Sequence, residues 1–200
     1  MAIVVEHDKR RKEILQKSLD VFVQEGYEDV TFQKIADRCG ITRTTLYIYF
    51  SNKQEIFQGS LKELLLSVEN EILTFINNEE LTAEEALRRV LKRIIELCVE
   101  NKTLFQILLS YLLQIKKSGV DVNQRIKRRV VRVRHHLSTL IIRGINDQEF
   151  KKEKVKDMIE FVYGIIESAI FRLSVAGQSD ISELFNVIDL AVDGFLLQKK

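Results

Sequence analysis

A short polar stretch in the first quarter of the sequence carries the side chains best suited to chemistry. It supplies one guanidinium and several hydroxyl groups, on Arg43, Thr44, Thr45, Tyr47 and Tyr49. The surrounding residues 38–54 include three cations and no acid, although the net charge of the chain is only +2. Such groups donate hydrogen bonds to phosphate oxygens and to base edges, so the stretch predicts contact with nucleic acid.

Two short helices joined by a tight turn are predicted to position these side chains. Thr31 is placed to cap the first helix, which should end near Cys39. Thr42 is placed to cap the second helix, which should end near Phe50. Gly40 lies between them, where the turn needs a positive φ. In such a helix-turn-helix the second helix enters the major groove of DNA with its N-terminal residues facing the base edges.

The remainder of the sequence also predicts helices, so the fold class is all-α with about nine helices. The chain contains no proline and only eight glycines, which favours long helices with short connections. The other expected helices span about residues 8–25, 53–76, 82–100, 102–117, a long helix from a boundary at Gly119 and Asp121 to 146, 152–176 and 181–198. We expect an N-terminal three-helix DNA-binding domain over residues 1–53 and a larger helical domain over residues 54–200.

The last two helices are apolar on more than one face, which a helix in a monomeric bundle does not require. A second apolar stripe needs a second partner, and the same helices of another subunit would form an isologous four-helix interface. The residues predicted for this interface are Met158, Phe161, Val162, Ile165, Ala169, Leu184, Val187, Ile188, Ala191, Val192 and Phe195. A hairpin buried inside one larger monomeric core remains the alternative interpretation.

The N-terminal motifs resemble those of the TetR/AcrR family of transcriptional regulators. They are Ile14-Leu15, Phe22, Gly26-Tyr27, Thr31, Ile35-Ala36, Gly40-Ile41-Thr42, Leu46-Tyr47, Tyr49-Phe50, Asn52-Lys53 and Glu55-Ile56-Phe57. Together they form a highly specific signature over about a quarter of the chain. The rest resembles the family in length, in helical character and in its C-terminal pair of apolar helices.

The resemblance implies a division of roles within the DNA-binding domain. The expected phosphate contacts, which position a protein on DNA without reading its sequence, are Thr31, Tyr47 and Lys53. The expected base-reading residues are Arg43, Thr44, Thr45, Gln33 and Tyr49, with Thr42 opening the reading helix. Thr44 stands where the family often has glycine, so a side chain is added at this place on the reading helix.

The resemblance also implies that the larger domain is regulatory, dimerises and holds a small-molecule pocket. Its wall is expected to be apolar and aromatic, as ligand pockets usually are. Candidate wall residues are Cys98, Phe105, Leu109, Tyr111, His136, Phe161, Tyr163 and Phe171. Each of them also fits an ordinary place in a helical core, and the sequence does not identify the ligand.

A run of cations marks the start of the long helix, at Arg125, Lys127, Arg128, Arg129, Arg132 and Arg134. A solvated helix face explains it most simply, and the alternatives are a site for an anionic ligand or partner and an auxiliary phosphate contact. The neighbouring His135 and His136 lack a carboxylate at metal-ligand spacing, so no metal or other cofactor is expected. Cys39 and Cys98 are interpreted as buried thiols of a reducing compartment.

These features predict a cytoplasmic, ligand-responsive DNA-binding repressor and not an enzyme. The sequence shows no secretion leader, no apolar stretch long enough for a membrane, and no paired Glu-x-x-His motif, nucleophile elbow or phosphate loop. The expected partners are a palindromic DNA operator, a second copy of the chain and a small-molecule effector, with no membrane partner. A DNA-binding adaptor regulated by a protein partner is the alternative function.

Overall fold

The structure of the protein is a computed structural model, which describes residues 2–117, 123–177 and 180–198. Within these ranges, the side chains of residues 2–5, 112, 114–117 and 123–130 are not described. The described residues form nine helices, which confirms the predicted all-α fold. The helices are α1 (Ala2–Asp29), α2 (Phe32–Cys39), α3 (Arg43–Tyr49), α4 (Lys53–Ile76), α5 (Ala83–Glu100), α6 (Lys102–Lys117), α7 (Asn123–Asn146), α8 (Val155–Ser174) and α9 (Ser182–Phe195).

The chain divides into two compact units, Met1–Val68 and Glu69–Lys200. The boundary between them falls inside α4, so this helix contributes residues to both units. The expected boundary between a DNA-binding domain over residues 1–53 and a regulatory domain over residues 54–200 stays a prediction.

The first unit is built around large apolar side chains of its helices. Phe22, Leu46 and Phe57 are fully buried, and the rings of Phe22 and Phe57 meet edge to face with centroids 4.8 Å apart. The buried hydroxyl of Ser60 donates to the backbone carbonyl of Leu15 at 2.6 Å, so this polar group is satisfied inside the core. This core holds the helix-turn-helix in place.

The helix ends of the first unit follow the predicted local signals. The Thr31 hydroxyl oxygen accepts a hydrogen bond from the backbone N–H of Lys34 at 3.3 Å, which confirms the predicted cap of α2. Gly40 has φ +67°, so the tight turn uses a left-handed conformation that glycine adopts without strain. Gly26 has φ +79° and interrupts the helical geometry of α1 where a C-terminal cap was expected, although α1 starts earlier, at Ala2.

Helix α5 is central to the second unit and packs against α7, α8 and α9. Its N-terminus is capped twice. Thr82 and Glu85 form a capping box, and the Glu149 carboxylate accepts hydrogen bonds from the backbone N–H groups of Ala83 at 3.0 Å and Glu84 at 2.8 Å. The Glu149 contacts hold the connection between α7 and α8 against the start of α5.

An ion-pair network centred on Arg88 holds α9 on α5. The guanidinium donates to the carboxylate and to the backbone carbonyl of Asp189, each at 3.0 Å, and also contacts Asp193. Lys92 Nζ donates to the Asp189 carboxylate at 2.8 Å. The bonds from Lys92 and Arg88 hold the pKa of Asp189 below its ordinary value. The network therefore sets which side of α9 faces outward.

Most observed helix bounds agree with the predicted ones, whereas α8 and α9 are shorter than expected. Helix α8 begins at Val155 because the preceding segment pairs with the end of α9, where the Lys151 N–H donates to the Phe195 carbonyl at 2.8 Å. The expected boundary at residues 119–121 lies outside the described residues, as do residues 178–179 between the last two expected helices. Among the described residues, no helix combines the length and the apolar character that crossing a bilayer requires.

Candidate functional site

Helix α3 turns apolar side chains inward and polar side chains outward. Leu46 is fully buried, while Arg43, Thr44 and Tyr47 lie exposed. Ile48, to which the sequence analysis gave no role, is exposed beside them. The outer face of α3 is defined by these four exposed residues.

Arg43 and Tyr47 form a preassembled pair on this outer face. The Tyr47 ring is stacked on Phe32 with centroids 4.5 Å apart and ring planes 22° from parallel. Arg43 Nη2 donates to the Tyr47 hydroxyl at 3.2 Å, and the guanidinium carbon lies 5.6 Å from the ring centroid. Tyr47 is still half exposed, so both side chains are held in place and open to a partner.

Thr42 and Thr45 are engaged with each other at the start of α3. The Thr42 hydroxyl oxygen accepts from the backbone N–H of Thr45 at 3.0 Å, and the two hydroxyl oxygens lie 2.8 Å apart. The predicted cap of α3 by Thr42 is therefore confirmed. Of Thr42, Thr44 and Thr45, only Thr44 is exposed without a role in the cap.

Thr31 and Gln33 lie exposed at the start of α2. The Thr31 hydroxyl acts as the cap acceptor, and a hydroxyl that accepts one hydrogen bond retains its own hydrogen for a phosphate. Gln33 Nε2 donates to Asp37 Oδ1 at 2.7 Å, which leaves its amide oxygen available. Their contacts with DNA stay predictions.

Tyr49 lies partly buried against the ring of His7. The two rings are stacked, with centroids 4.6 Å apart and planes 24° from parallel. His7 was not among the predicted site residues, because its contact with Tyr49 joins α1 to α3 between residues far apart in the chain. Base reading by Tyr49 would therefore involve a ring that is already packed.

The structure places Lys53 differently from its predicted role as a phosphate clamp. Its ammonium donates to the backbone carbonyls of Tyr27 at 3.0 Å, Glu28 at 2.7 Å and Val30 at 3.3 Å. It also lies 5.0 Å from the centroid of the Tyr27 ring. An ammonium group has three N–H donors, so these carbonyls use all of them. Lys53 satisfies carbonyls at and just beyond the end of α1, which argues against its predicted contact with phosphate, and that contact stays a prediction.

In the second unit, α8 and α9 expose apolar side chains side by side. Phe161 is 55% exposed, Val187 42% and Leu190 73%. A hollow of about 350 Å³ lies among Phe161, Val187, Leu190, Ala191, Gly194 and Phe195. We call this surface the outer face of α8 and α9. Such a patch is unusual on an isolated domain and is typical of an interaction site.

The structure corrects the predicted interface by dividing its residues between two sides of these helices. The residues already buried in the same chain are Met158, Val162, Ala169, Leu184, Ile188, Ala191 and Val192, of which Leu184 and Ala191 also line a hollow. Phe161, Val187, Ala191 and Phe195 line the hollow, and Ile165 lines an adjoining hollow of about 440 Å³. Periodicity alone did not separate the inner from the outer stripe, because both are apolar.

The predicted pocket residues are likewise divided. Cys98 and Tyr111 are buried, and burial raises the pKa of the Cys98 thiol to about 12. The side chains of Phe105, Leu109, His136 and Tyr163 are partly exposed. Phe171 is 59% exposed and Phe161 belongs to the outer face of α8 and α9, so neither lies in the core of the second unit, and their place in a ligand pocket stays a prediction.

Arg132 and Arg134, the members of the predicted run of cations whose side chains are described, are ion-paired. Arg132 contacts Glu69 at 3.4 Å, and His136 Nε2 lies 3.1 Å from the same carboxylate, whose pKa is lowered chiefly by the bond to His136. Arg134 pairs with Glu160, with one contact at 3.1 Å. The side chains of Arg125, Lys127, Arg128 and Arg129 lie outside those the structure describes.

Comparison with known proteins identifies the N-terminal elements. Residues 14–59 match the family described as bacterial regulatory proteins, tetR family. A fatty acid metabolism regulator protein of Bacillus subtilis is 24% identical over 189 residues, covering 91% of this chain and 93% of that protein.

Two solved structures share the fold of the whole chain. A TetR transcription regulator from Haloarcula marismortui superposes with a TM-score of 0.82 at 21% identity, covering 95% of this chain and all of that one. The transcriptional regulator FadR from Bacillus subtilis, solved in complex with stearoyl-CoA, superposes with a TM-score of 0.71 at 24% identity. That match covers 92% of this chain and 98% of the FadR chain.

Proposed function

Because this chain is a DNA-binding transcriptional regulator of the TetR family, we propose that it represses genes as a homodimer on a palindromic operator and is released by a small molecule. The observation that carries the proposal is the presence of two exposed surfaces of opposite chemistry. The outer face of α3 carries a guanidinium and two hydroxyl groups beside Ile48, and such donors suit contact with DNA. The outer face of α8 and α9 is apolar, as contact with another protein surface requires.

The outer face of α3 supplies both kinds of DNA contact. Arg43 fits a bidentate contact with O6 and N7 of guanine, and the methyl group of Thr44 fits an apolar contact with thymine. Tyr47 carries a hydroxyl suited to a phosphate. Because Phe32 and Arg43 already hold the Tyr47 ring, less conformational freedom is lost on binding, which favours affinity.

The outer face of α8 and α9 supplies the dimer contact. A two-fold axis places the same patch of both subunits face to face, so a single apolar surface forms a closed dimer. Burial of Phe161, Val187 and Leu190 against their symmetry mates removes apolar area from water. A symmetric dimer carries two reading helices and reads two half-sites, in the simplest case about 34–36 Å apart, which explains the palindrome.

The effector that we propose is a fatty acyl-CoA. Support comes from the relative named for fatty acid metabolism and from the similar fold solved with stearoyl-CoA. An acyl chain needs an apolar lining, and the partly exposed side chains of Phe105 and Leu109 offer apolar surface on α6. The ligand releases DNA only to the extent that it binds the released form more tightly than the DNA-bound form.

A DNA-binding adaptor controlled by a protein at the basic helix is the alternative. Arg132 and Arg134 are paired with Glu69 and Glu160, and paired charges attract an acidic partner less strongly than free ones. This pairing favours the small-molecule proposal over the adaptor.

Selection of bound duplexes from a random pool tests the DNA part of the proposal. An enriched palindrome with two equal half-sites is the expected result. Enrichment of a single, asymmetric site would contradict the dimer, and no enrichment at all would contradict sequence-specific regulation. Transcription in vitro from a promoter overlapping the selected site then distinguishes repression, the expected result, from activation.

Titration of ligands onto the complex of protein and selected duplex tests the effector. We expect stearoyl-CoA to release the duplex, and coenzyme A at the same concentration to leave it bound. Release by stearate as well would broaden the class to free fatty acids. If none of the three compounds weakens the complex, the acyl-CoA proposal fails while DNA binding stands.

A further inference from the structure

Ile48 is an apolar residue in an exposed place on the reading helix. Its side chain is 70% exposed, more than Tyr47 at 50%, whereas Leu46 in the same helix is fully buried. Single exposed apolar residues are common on protein surfaces and need a second reason before a role is assigned. That reason lies in the composition and geometry of α3.

Helix α3 is seven residues long, so each residue weighs on its stability. Isoleucine is β-branched and forms helices less readily than alanine, lysine or glutamate, which suit an exposed helical position better. An exposed isoleucine at this position therefore improves neither the solubility of the protein nor the stability of α3. Departures of this kind from local preference are expected at functional sites.

The outer face of α3 consists of two neighbouring rows with different chemistry. Arg43 and Tyr47, four residues apart, are joined by the hydrogen bond of 3.2 Å and form the polar row. Thr44 and Ile48, also four residues apart, form a row that presents methyl groups. Ile48 has no hydrogen-bonding atom in its side chain, so it gains from an apolar partner only. In the major groove that partner is the C5-methyl group of thymine.

We propose that Ile48 reads the methyl group of one thymine in each half-site of the operator, an inference that rests on the proposed function. Ile48 is the fifth residue after Arg43, which corresponds to a rise of about 7.5 Å along the axis of α3. Base pairs are stacked about 3.4 Å apart. The thymine therefore lies within about two base pairs of the base that Arg43 reads.

Deoxyuridine tests this contact directly, because it differs from thymidine in lacking only the methyl group. In the duplex selected by the wild-type protein, each thymine of both half-sites is replaced in turn by deoxyuridine, and affinity is measured by fluorescence anisotropy. Wild type, Ile48→Ala and the control Val99→Ala are compared. Val99 is an exposed β-branched residue of α5, outside the proposed contacts. Alanine favours helix at residue 48, so Ile48→Ala is expected to fold.

At one thymine position, we expect wild type and Val99→Ala to lose about fourfold in affinity for each methyl removed. Ile48→Ala is expected to bind the thymine and deoxyuridine duplexes equally. The proposal is overturned if wild type is indifferent to every replacement within two base pairs of the Arg43 base, or if Ile48→Ala keeps the full methyl sensitivity. Either result leaves operator binding intact, whereas a pool from which wild type enriches no duplex overturns the proposed function and this contact together.

Discussion

The two units of the chain organise their exposed functional surfaces in different ways. In the first unit, the outer face of α3 is polar and its side chains are held by short-range contacts such as the bond between Arg43 and Tyr47. In the second unit, the outer face of α8 and α9 is apolar and its side chains are held by long-range packing. A polar surface can be recognised from residue types, whereas an apolar surface is recognised only when the core has been located.

The stabilising contacts of the units differ in the same way. Residues 31–50 owe their shape to caps between neighbours, at Thr31, Gly40 and Thr42. The orientation of α9 depends on Arg88, which bonds to Asp189 more than a hundred residues later in the chain. Substitutions on the outer face of α3 should therefore change the preferred DNA sequence. Substitutions on the outer face of α8 and α9 should change the assembly of the dimer.

The largest expected effect is on assembly, from Leu190→Glu. A carboxylate in the centre of the apolar outer face would be buried without a partner in the dimer, so we expect monomers. Loss of the link between two half-site contacts should lower operator affinity by about 10²–10⁴-fold. Light scattering reports the mass and anisotropy the affinity. Val99→Glu, on an exposed position of α5, is the control that should remain dimeric, and a dimeric Leu190→Glu protein would contradict the assigned surface.

The next effect is on base preference, from Arg43→Ala. Removal of the guanidinium should reduce discrimination at one position of each half-site by about 1–3 kcal/mol. Because Arg43 is exposed, the unfolding temperature should hardly change. Repeated duplex selection measures the preference, with Lys62→Ala on the exposed side of α4 as the control. An unaltered sequence profile would remove Arg43 from the reading face.

Lys53→Met tests whether the Lys53 ammonium stabilises the fold or contacts DNA. The three carbonyls that Lys53 contacts would lose their charged donor, so the free energy of unfolding should fall by about 1–2 kcal/mol. The dependence of operator affinity on salt should stay as in wild type. A salt slope smaller by about one per contact would instead restore Lys53 as a phosphate ligand.

The smallest effect distinguishes two neighbouring threonines. Thr42→Ala removes the cap of α3 and should lower the free energy of unfolding by about 1 kcal/mol. Thr44→Ala, the matched control, should leave that free energy nearly unchanged while altering base preference. Urea unfolding of both variants measures the difference, and equal destabilisation would mean that the cap contributes nothing particular.

Local features were predictable from the sequence because they depend on residues close together in the chain. The caps at Thr31 and Thr42, the positive φ of Gly40 and the bounds of α4 to α6 follow from such neighbours. The exposed polar residues Arg43, Thr44 and Tyr47 were predictable for the same reason, because they lie close together in a helix of only seven residues.

Non-local features were not predictable from patterns. Lys53 was expected to contact phosphate, and its ammonium donates instead to carbonyls more than twenty residues earlier in the chain. Ile48 carried no signal until the position of Leu46 had defined the inner side of α3. In α8, the alternation of Val162 and Phe161 between inside and outside was hidden by their shared apolar character.

The order of residues alone predicts that this chain folds as helices and that a short capped helix displays donors suited to DNA. These properties follow from backbone preferences and hydrogen bonds between near neighbours. Which apolar stripe of α8 and α9 stays exposed, and which cations already have partners, depends on how the helices pack. Burial and ion pairing depend on distances between residues far apart in the chain, and those distances exist only after the helices have packed.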